Sequence, residues 1–260
     1  METVKVRRLD PSGVVEIVLN RPDALNAIST EHARAIAAVG AGLAADSTMR
    51  AAVVSSASDK AFCVGADLKE RRSFTDNDLR RQRPVMRDAF NGLLNLPVPT
   101  IAAVNGFALG GGFELALSCD LIVVDDSAVL GLPEVTVGLV PGGGGTQLLA
   151  RRIGWGRASD LVFTGRRVDA EEAYRLGIAD RLVMTGQARD TALEMAEAIA
   201  SNSPVGVRSA KRAMRLGLDA PLAAGLDVED AAWRTTAFSG DRAEGIAAFN
   251  EKRRPNWPGH

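Results

Sequence analysis

The chain has 260 residues, with 31 Lys and Arg against 32 Asp and Glu and 46% hydrophobic residues. This length supports one large domain or two small ones with a sizeable core, while the near-balanced charge offers no footprint for nucleic acid or an anionic membrane, both of which need a basic excess or a clustered basic face. Cys63 and Cys119 stand far apart and fit neither a disulfide framework nor a zinc site. With histidine limited to His32 and His260, imidazole triads and His-pair metal sites are excluded, and proton transfer falls to carboxylates.

Taken in chain order, Met1 to Arg8 alternate apolar and charged types and lack the apolar stretch of a signal peptide. No later apolar run is long enough to span a bilayer without a charge. A cytoplasmic protein is expected. Val14–Leu19, Ala51–Ser55, Ile101–Val104 and Leu121–Val124 are short β-rich runs bounded by turn or helix signals, and read as buried strands. Helical patterns lie between them at Ser29–Ala45, with Ser29 and Thr30 as candidate caps, and at Asn77–Leu94, closed by Pro97 and Pro99. The alternation predicts an α/β core.

Beyond about Val183 the pattern turns helical, through Ala188–Ala200, Pro204–Leu218, Pro221–Phe238 and Asp241–Lys252, two of these opened by a proline suited to a first helical turn. No linker or repeat separates this tail, so it reads as a packed subdomain, with residues 1–195 as the α/β unit and 196–260 as the helical one. Leu222, Leu226, Val228, Trp233 and Phe238 exceed what one small helix layer needs; either a neighbouring chain or an internal core would cover them.

Three glycine-containing stretches carry the candidate chemistry. In Val104–Asp120 (VNGFALGGGFELALSCD) a strand ends, three glycines follow, and a helix begins with Glu114 in its first turn. Amides at such a helix start lack intrahelical partners and add positive potential, so they could bind a developing oxyanion; a tight turn with a solvated glutamate is the alternative. Ala61–Glu70 (AFCVGADLKE) is a second strand-to-helix connection. Leu130–Gln147 (LGLPEVTVGLVPGGGGTQ) holds Glu134 and four glycines, but Gly145 precedes Thr146 where a phosphate-binding loop would need lysine.

These stretches, together with RPDALNAIS at Arg21–Ser29 and the tail from Asp241, lie in the order in which the chain resembles the enoyl-CoA hydratase/isomerase (crotonase) family over nearly its whole length. The resemblance implies a spiral of β-β-α turns followed by a C-terminal helical oligomerisation region that forms a homotrimer or a homohexamer of two stacked trimers. It implies an oxyanion hole from the backbone N–H groups of Ala66 and Gly111. It also implies that Glu114 and Glu134 share a water across the 2,3 double bond of an enoyl thioester, Glu114 as base and Glu134 as acid, with Gly142 helping to hold that water. Ala24, Leu25, Ala66, Asp67 and Leu68 would line the CoA site beside Lys69, completed by Phe249 and Lys252 from the same or a neighbouring subunit.

No cofactor beyond the coenzyme A of the substrate, and no metal, is expected. Val64, Phe113 and the four-glycine run depart from the common pattern without removing a catalytic group, and bear on the acyl pocket. Alongside hydration of 2-enoyl-CoA stand a hydratase, dehydratase or isomerase of a specialised acyl-CoA, and a non-catalytic binder of acyl-CoA or RNA that keeps the fold.

Overall fold

The computed structural model describes residues 2–260. Ten strands and eleven α-helices are found among them. β1 (Val4–Leu9) and β2 (Val14–Leu19) form an antiparallel hairpin, and α1 (Thr30–Ala44) follows, its first turn closed by the Ser29 side chain accepting from the His32 amide. β3 (Ala51–Ser56) and β4 (Ala61–Cys63) lead into α2 (Leu68–Arg71) and α3 (Asp76–Leu94). The Thr75–Asp78 capping box starts α3, and Pro84 lies within it.

Two further strand pairs repeat the pattern. β5 (Thr100–Val104) and β6 (Phe107–Leu109) precede α4 (Gly111–Leu117); β7 (Leu121–Asp125) and β8 (Val129–Gly131) precede α5 (Gly145–Ile153) and α6 (Trp155–Thr164). β9 (Arg167–Asp169), α7 (Ala170–Leu176) and β10 (Arg181–Val183) follow, and then the helices α8 (Ala188–Ala200), α9 (Pro204–Leu218), α10 (Leu222–Ala237) and α11 (Gly240–Glu251).

From β3 onward the two members of each strand pair divide between two sheets. The larger sheet runs β1-β2-β3-β5-β7-β10 and the smaller β4-β6-β8-β9, so the chain winds as a spiral. Pairing is parallel except at β1–β2 and β8–β9. Parallel strands covered on both faces read as continuous apolar runs, which is why VVEIVL and LIVV lack alternation.

The strand faces nevertheless divide. Ala52, Val54, Ala102 and Val124 point into the main core with Ile36, Phe62, Leu93 and Phe113, whereas Val14, Ala51, Val53, Ile101 and Val123 meet α8. α8 presents Ala188, Ala192, Ala196 and Ala200 at four-residue spacing, a smooth stripe that lets it lie close on the sheet. The expected division at 195/196 therefore falls inside α8. Glu16, buried in β2, is held by Arg189 at 2.7 Å and by the Ser55 hydroxyl at 2.7 Å.

α9 and α10 pack on each other and leave Met214, Leu218, Leu222, Leu226 and Trp233 more than half exposed. No helix of the described residues is long and apolar enough to cross a membrane.

Candidate active site

The candidate residues gather at the carboxyl ends of β4, β6 and β8, three neighbouring strands of the smaller sheet from successive turns of the spiral. Strands that run parallel leave their ends open together on one side, so the loops leaving them converge.

Ala66 follows β4 and Gly111 opens α4 after β6. Ile28 and Ala66 form an isolated parallel bridge, in which the Ile28 amide donates to Gly65 and the Asp67 amide donates to Ile28. That pattern uses the carbonyl of Gly65 and the amide of Asp67 and leaves Ala66's own amide. Among the described residues neither the Ala66 nor the Gly111 amide finds a backbone acceptor.

Gly65 brings the two loops together. Its φ is +86°, and a Cβ there would lie 2.8 Å from the Leu109 oxygen and 3.1 Å from the Gly111 nitrogen. Only a residue without a side chain admits this approach. Gly112 is equally constrained: a Cβ there would sit 1.9 Å from the Cys63 carbonyl oxygen, against which α4 is packed.

Glu114 is 3% exposed. Its Oε1 accepts from the amides of Gly143, at 2.6 Å, and Gly145, at 2.8 Å. Gly145 is the first residue of α5, so the glycine run is a helix start that grips a carboxylate. Burial raises the Glu114 pKa; the amides of Gly145 and Gly143, the charge of Arg83 and the amide of Gly142 oppose that rise. Phe90 closes the space beside it, since a Cβ on Gly143 would meet the Phe90 ring at 2.6 Å and Glu114 Oε2 at 2.8 Å.

Glu134 sits in the short 3-10 helix Pro133–Val137 that follows β8. Its Oε1 faces Gly110, where a Cβ would come within 2.8 Å, and its buried Oε2 has no hydrogen-bond partner. Gly110 adopts φ +51° and donates its own amide to the Gly131 carbonyl, joining the β6 and β8 ends. Burial comes first, and the charge of Glu114 adds to it, in pushing the Glu134 pKa up to about 7. The two carboxyl groups therefore differ: one receives amide donors that favour its anion, and the other holds its proton.

The structure also brings Ala24, Leu25, Ala66, Asp67, Leu68 and Lys69 onto one edge. The Val64 amide donates to the Leu25 carbonyl, and Arg21 pairs with Asp67 at 3.0 Å. Asp67 caps α2 by accepting from the Lys69 and Glu70 amides, so its carboxylate is spent on the protein, while Leu68 and Lys69 stand exposed. Gly142 adjoins the Glu114 cradle, with Arg83 against it.

Phe249 and Lys252 are elsewhere: Phe249 is 83% exposed, Lys252 forms the C-terminal cap of α11, and α11 packs against α9 and α10. Phe113 points into the core and is fully buried, so it does not shape the site from an open wall.

Several contributors escaped the sequence reading. Asn26, at φ +55°, ties the loop down by accepting from the Arg21 amide and donating to Ser56 Oγ and the Phe62 carbonyl. Phe90, Arg83, Gln82 and Arg71 come from α2 and α3, and an ordinary amphipathic pattern conceals them. An asparagine in a tight loop was the one available signal, because it tolerates left-handed backbone. No group of three or more potential metal ligands occurs among the described residues.

A family model for enoyl-CoA hydratase/isomerase matches residues 10–260. The chain is 40% identical to the probable enoyl-CoA hydratase 2, mitochondrial, of Arabidopsis thaliana, covering 100% of this chain and 87% of that protein. It is 38% identical to the mitochondrial methylglutaconyl-CoA hydratase of Mus musculus over 99% of this chain and 84% of the other. The crystal structure of an enoyl-CoA hydratase from Bacillus anthracis superposes with a TM-score of 0.96 at 40% identity, covering 99% and 100% of the two chains.

Proposed function

Because the chain belongs to the enoyl-CoA hydratase/isomerase family, we propose that it adds water reversibly, with syn geometry, across the 2,3 double bond of a 2-enoyl-CoA to give the 3-hydroxyacyl-CoA. The observation that carries this reading is the unequal pair of carboxyl groups, Glu114 held by two amides and Glu134 with a buried, unpartnered Oε2 and a pKa pushed up to about 7.

In this reaction the thioester oxygen lies between the Ala66 and Gly111 amides. As water attacks C3, Glu114 takes its proton and negative charge builds on that oxygen; Glu134 then delivers its proton to C2. Each preorganised amide aimed at the developing charge is worth on the order of 10²–10³ in rate. Pair and amides need no redox group or metal to do this, and the coenzyme A arrives with the substrate, bound along Ala24, Leu25 and Ala66–Lys69.

The protein assembles as a homotrimer, or as two such trimers, through the helical tail. The exposed apolar residues of α9 and α10 support this, as does the placement of Phe249 and Lys252 away from their own chain's site. They would complete the CoA site of a neighbour. A cytoplasmic setting suits the two buried free cysteines, and cell fractionation would test it. The hydratase reading itself is tested by steady-state hydration of short, long, branched and carboxylated 2-enoyl-CoA thioesters. Tight acyl-CoA binding without water addition to any of them would overturn it.

A further inference from the structure

Arg83 lies beside the site without an ion-pair partner, its charge acting on Glu114 from a distance. A Cβ on Gly142 would fall 3.1 Å from its Nη1 and 3.4 Å from its Cζ, and Gly142 immediately precedes Gly143, whose amide holds Glu114. No carboxylate of the described residues pairs with Arg83. The preceding residue, Gln82, is buried and fully engaged: it accepts from Arg71 Nε at 2.9 Å and donates to Glu70 at 3.0 Å and to Thr30 at 2.8 Å. The backbone carrying Arg83 is therefore anchored while its guanidinium is free. Arg71, half-buried across Gln82, has its basicity lowered by burial and, against the pull of Glu70, by the charge of Arg83.

The helix sets the direction. Arg83 and Phe90 are seven residues apart on α3, hence on one face and about 10 Å apart along the axis. Phe90 touches the positions of both Gly111 and Gly143, the floor on which the thioester and the double bond would lie. Arg83 is two turns away on the same face, against Gly142 at the side of the Glu114 cradle, and separated from Gly111's contact with Phe90 only by the length of α3 between them. An acyl chain that enters past the amides and crosses the glutamates would bring its far end to this guanidinium.

We propose that Arg83 is a specificity-determining residue that binds a carboxylate at the distal end of the acyl chain, so that the favoured substrates are 2-enoyl-CoA thioesters carrying a carboxylate one methylene beyond the double bond. This rests on the acyl-CoA reading of the site and deepens it. A guanidinium offers a planar donor fork that matches a carboxylate, and an anion there relieves the repulsion between Arg83 and Arg71. An uncharged chain would leave Arg83 without an ion-pair partner.

The test compares glutaconyl-CoA with 2-pentenoyl-CoA in steady-state hydration by the purified full-length protein and by its Arg83→Gln and Arg83→Lys variants. Wild type should favour glutaconyl-CoA. Arg83→Gln should lower the glutaconyl-to-pentenoyl ratio of kcat/KM at least about tenfold, chiefly through KM, and Arg83→Lys should restore part of it, the size expected for a lost charged hydrogen bond. Any effect of the lost charge on Glu114 acts on both substrates and cancels in the ratio.

Equal losses on the two substrates would assign Arg83 to the CoA phosphates or to Glu114 and overturn the proposal, as would a wild type without preference. Calorimetric titration with glutaryl-CoA and pentanoyl-CoA separates this from failure of the hydratase reading. If wild type hydrates neither enoyl thioester yet Arg83→Gln selectively weakens glutaryl-CoA, the reaction is wrong and the carboxylate site stands. If glutaryl-CoA binds no tighter than pentanoyl-CoA to wild type, the site falls.

Discussion

Raising the pH should disable the acid of the pair and leave the base intact. In the proposed reaction Glu134 must be protonated to supply C2, and its pKa is pushed up to about 7 because burial and the Glu114 anion both disfavour its charge. The active form is thus present below about pH 7 and lost above it. With one proton governing the limb, kcat/KM for crotonyl-CoA should fall about 100-fold between pH 6 and pH 9. The assay is the initial rate of loss of enoyl absorbance at subsaturating substrate, corrected for thioester hydrolysis.

Histidine cannot imitate this limb. His32 is fully buried with both ring nitrogens unpartnered, and its pKa is held down to about 4 by burial and the charge of Arg21; His260 is the last residue of the chain. In Glu134→Gln the residual rate should be lower by about 10² or more at pH 6 and should lose its alkaline limb. A flat wild-type profile from pH 6 to 9, or a limb surviving in Glu134→Gln, would refute the assignment of Glu134 as acid.

The same carboxyl group links to stability. Above its ordinary value of 4.5 the unfolded chain releases a proton that the folded chain keeps up to about 7, so folding stability declines as pH rises through that window. Glu134→Gln should therefore melt at a higher temperature than wild type at pH 8 while being nearly inactive, a result checked by calorimetry. Glu114→Gln should cost about 10² or more in kcat through loss of the base while retaining acyl-CoA binding, measured by titration with a saturated thioester. Gly65→Ala, which drives a methyl group into the Leu109 carbonyl and the Gly111 amide, should displace the oxyanion donors and lower kcat by on the order of 10²–10³ if the chain still folds. Circular dichroism verifies the fold. Trp233→Glu, placing a charge on the exposed apolar face of α10, should shift the sedimentation coefficient toward that of the monomer.

How much of this was legible beforehand depended on what kind of signal each feature leaves in a chain. Long apolar runs and capped helices were readable: Val14–Leu19 is β2 as expected, and Ser29 caps α1. The C-terminal helices also fall where their periodicity puts them, within a residue or two. The three-residue strands β4, β6, β8 and β9 were not readable as strands, because so short a run has no period and owes its extended state to the neighbours it pairs with. These strands build the sheet that carries the site. The glycine motifs marked where the loops lie, and the glutamates were identified through the resemblance those motifs carry. That Gly143 and Gly145 would grip Glu114 from 29 and 31 residues away is a product of the spiral. Arg83 and Phe90 share a helix face with many ordinary residues, so nothing local distinguishes them.

The hydrogen bond from Gly110 to Gly131 has a consequence for how such a protein can change. It fastens the strand end that leads to Glu114 to the strand end that leads to Glu134, so the separation of the two carboxyl groups is built into main-chain pairing. α3, by contrast, belongs to neither sheet and meets the glycine loops through side chains. Substitutions along α3 can thus retune which chains are accepted while proton delivery keeps its geometry. The scaffold separates the part that must not move from the part free to vary.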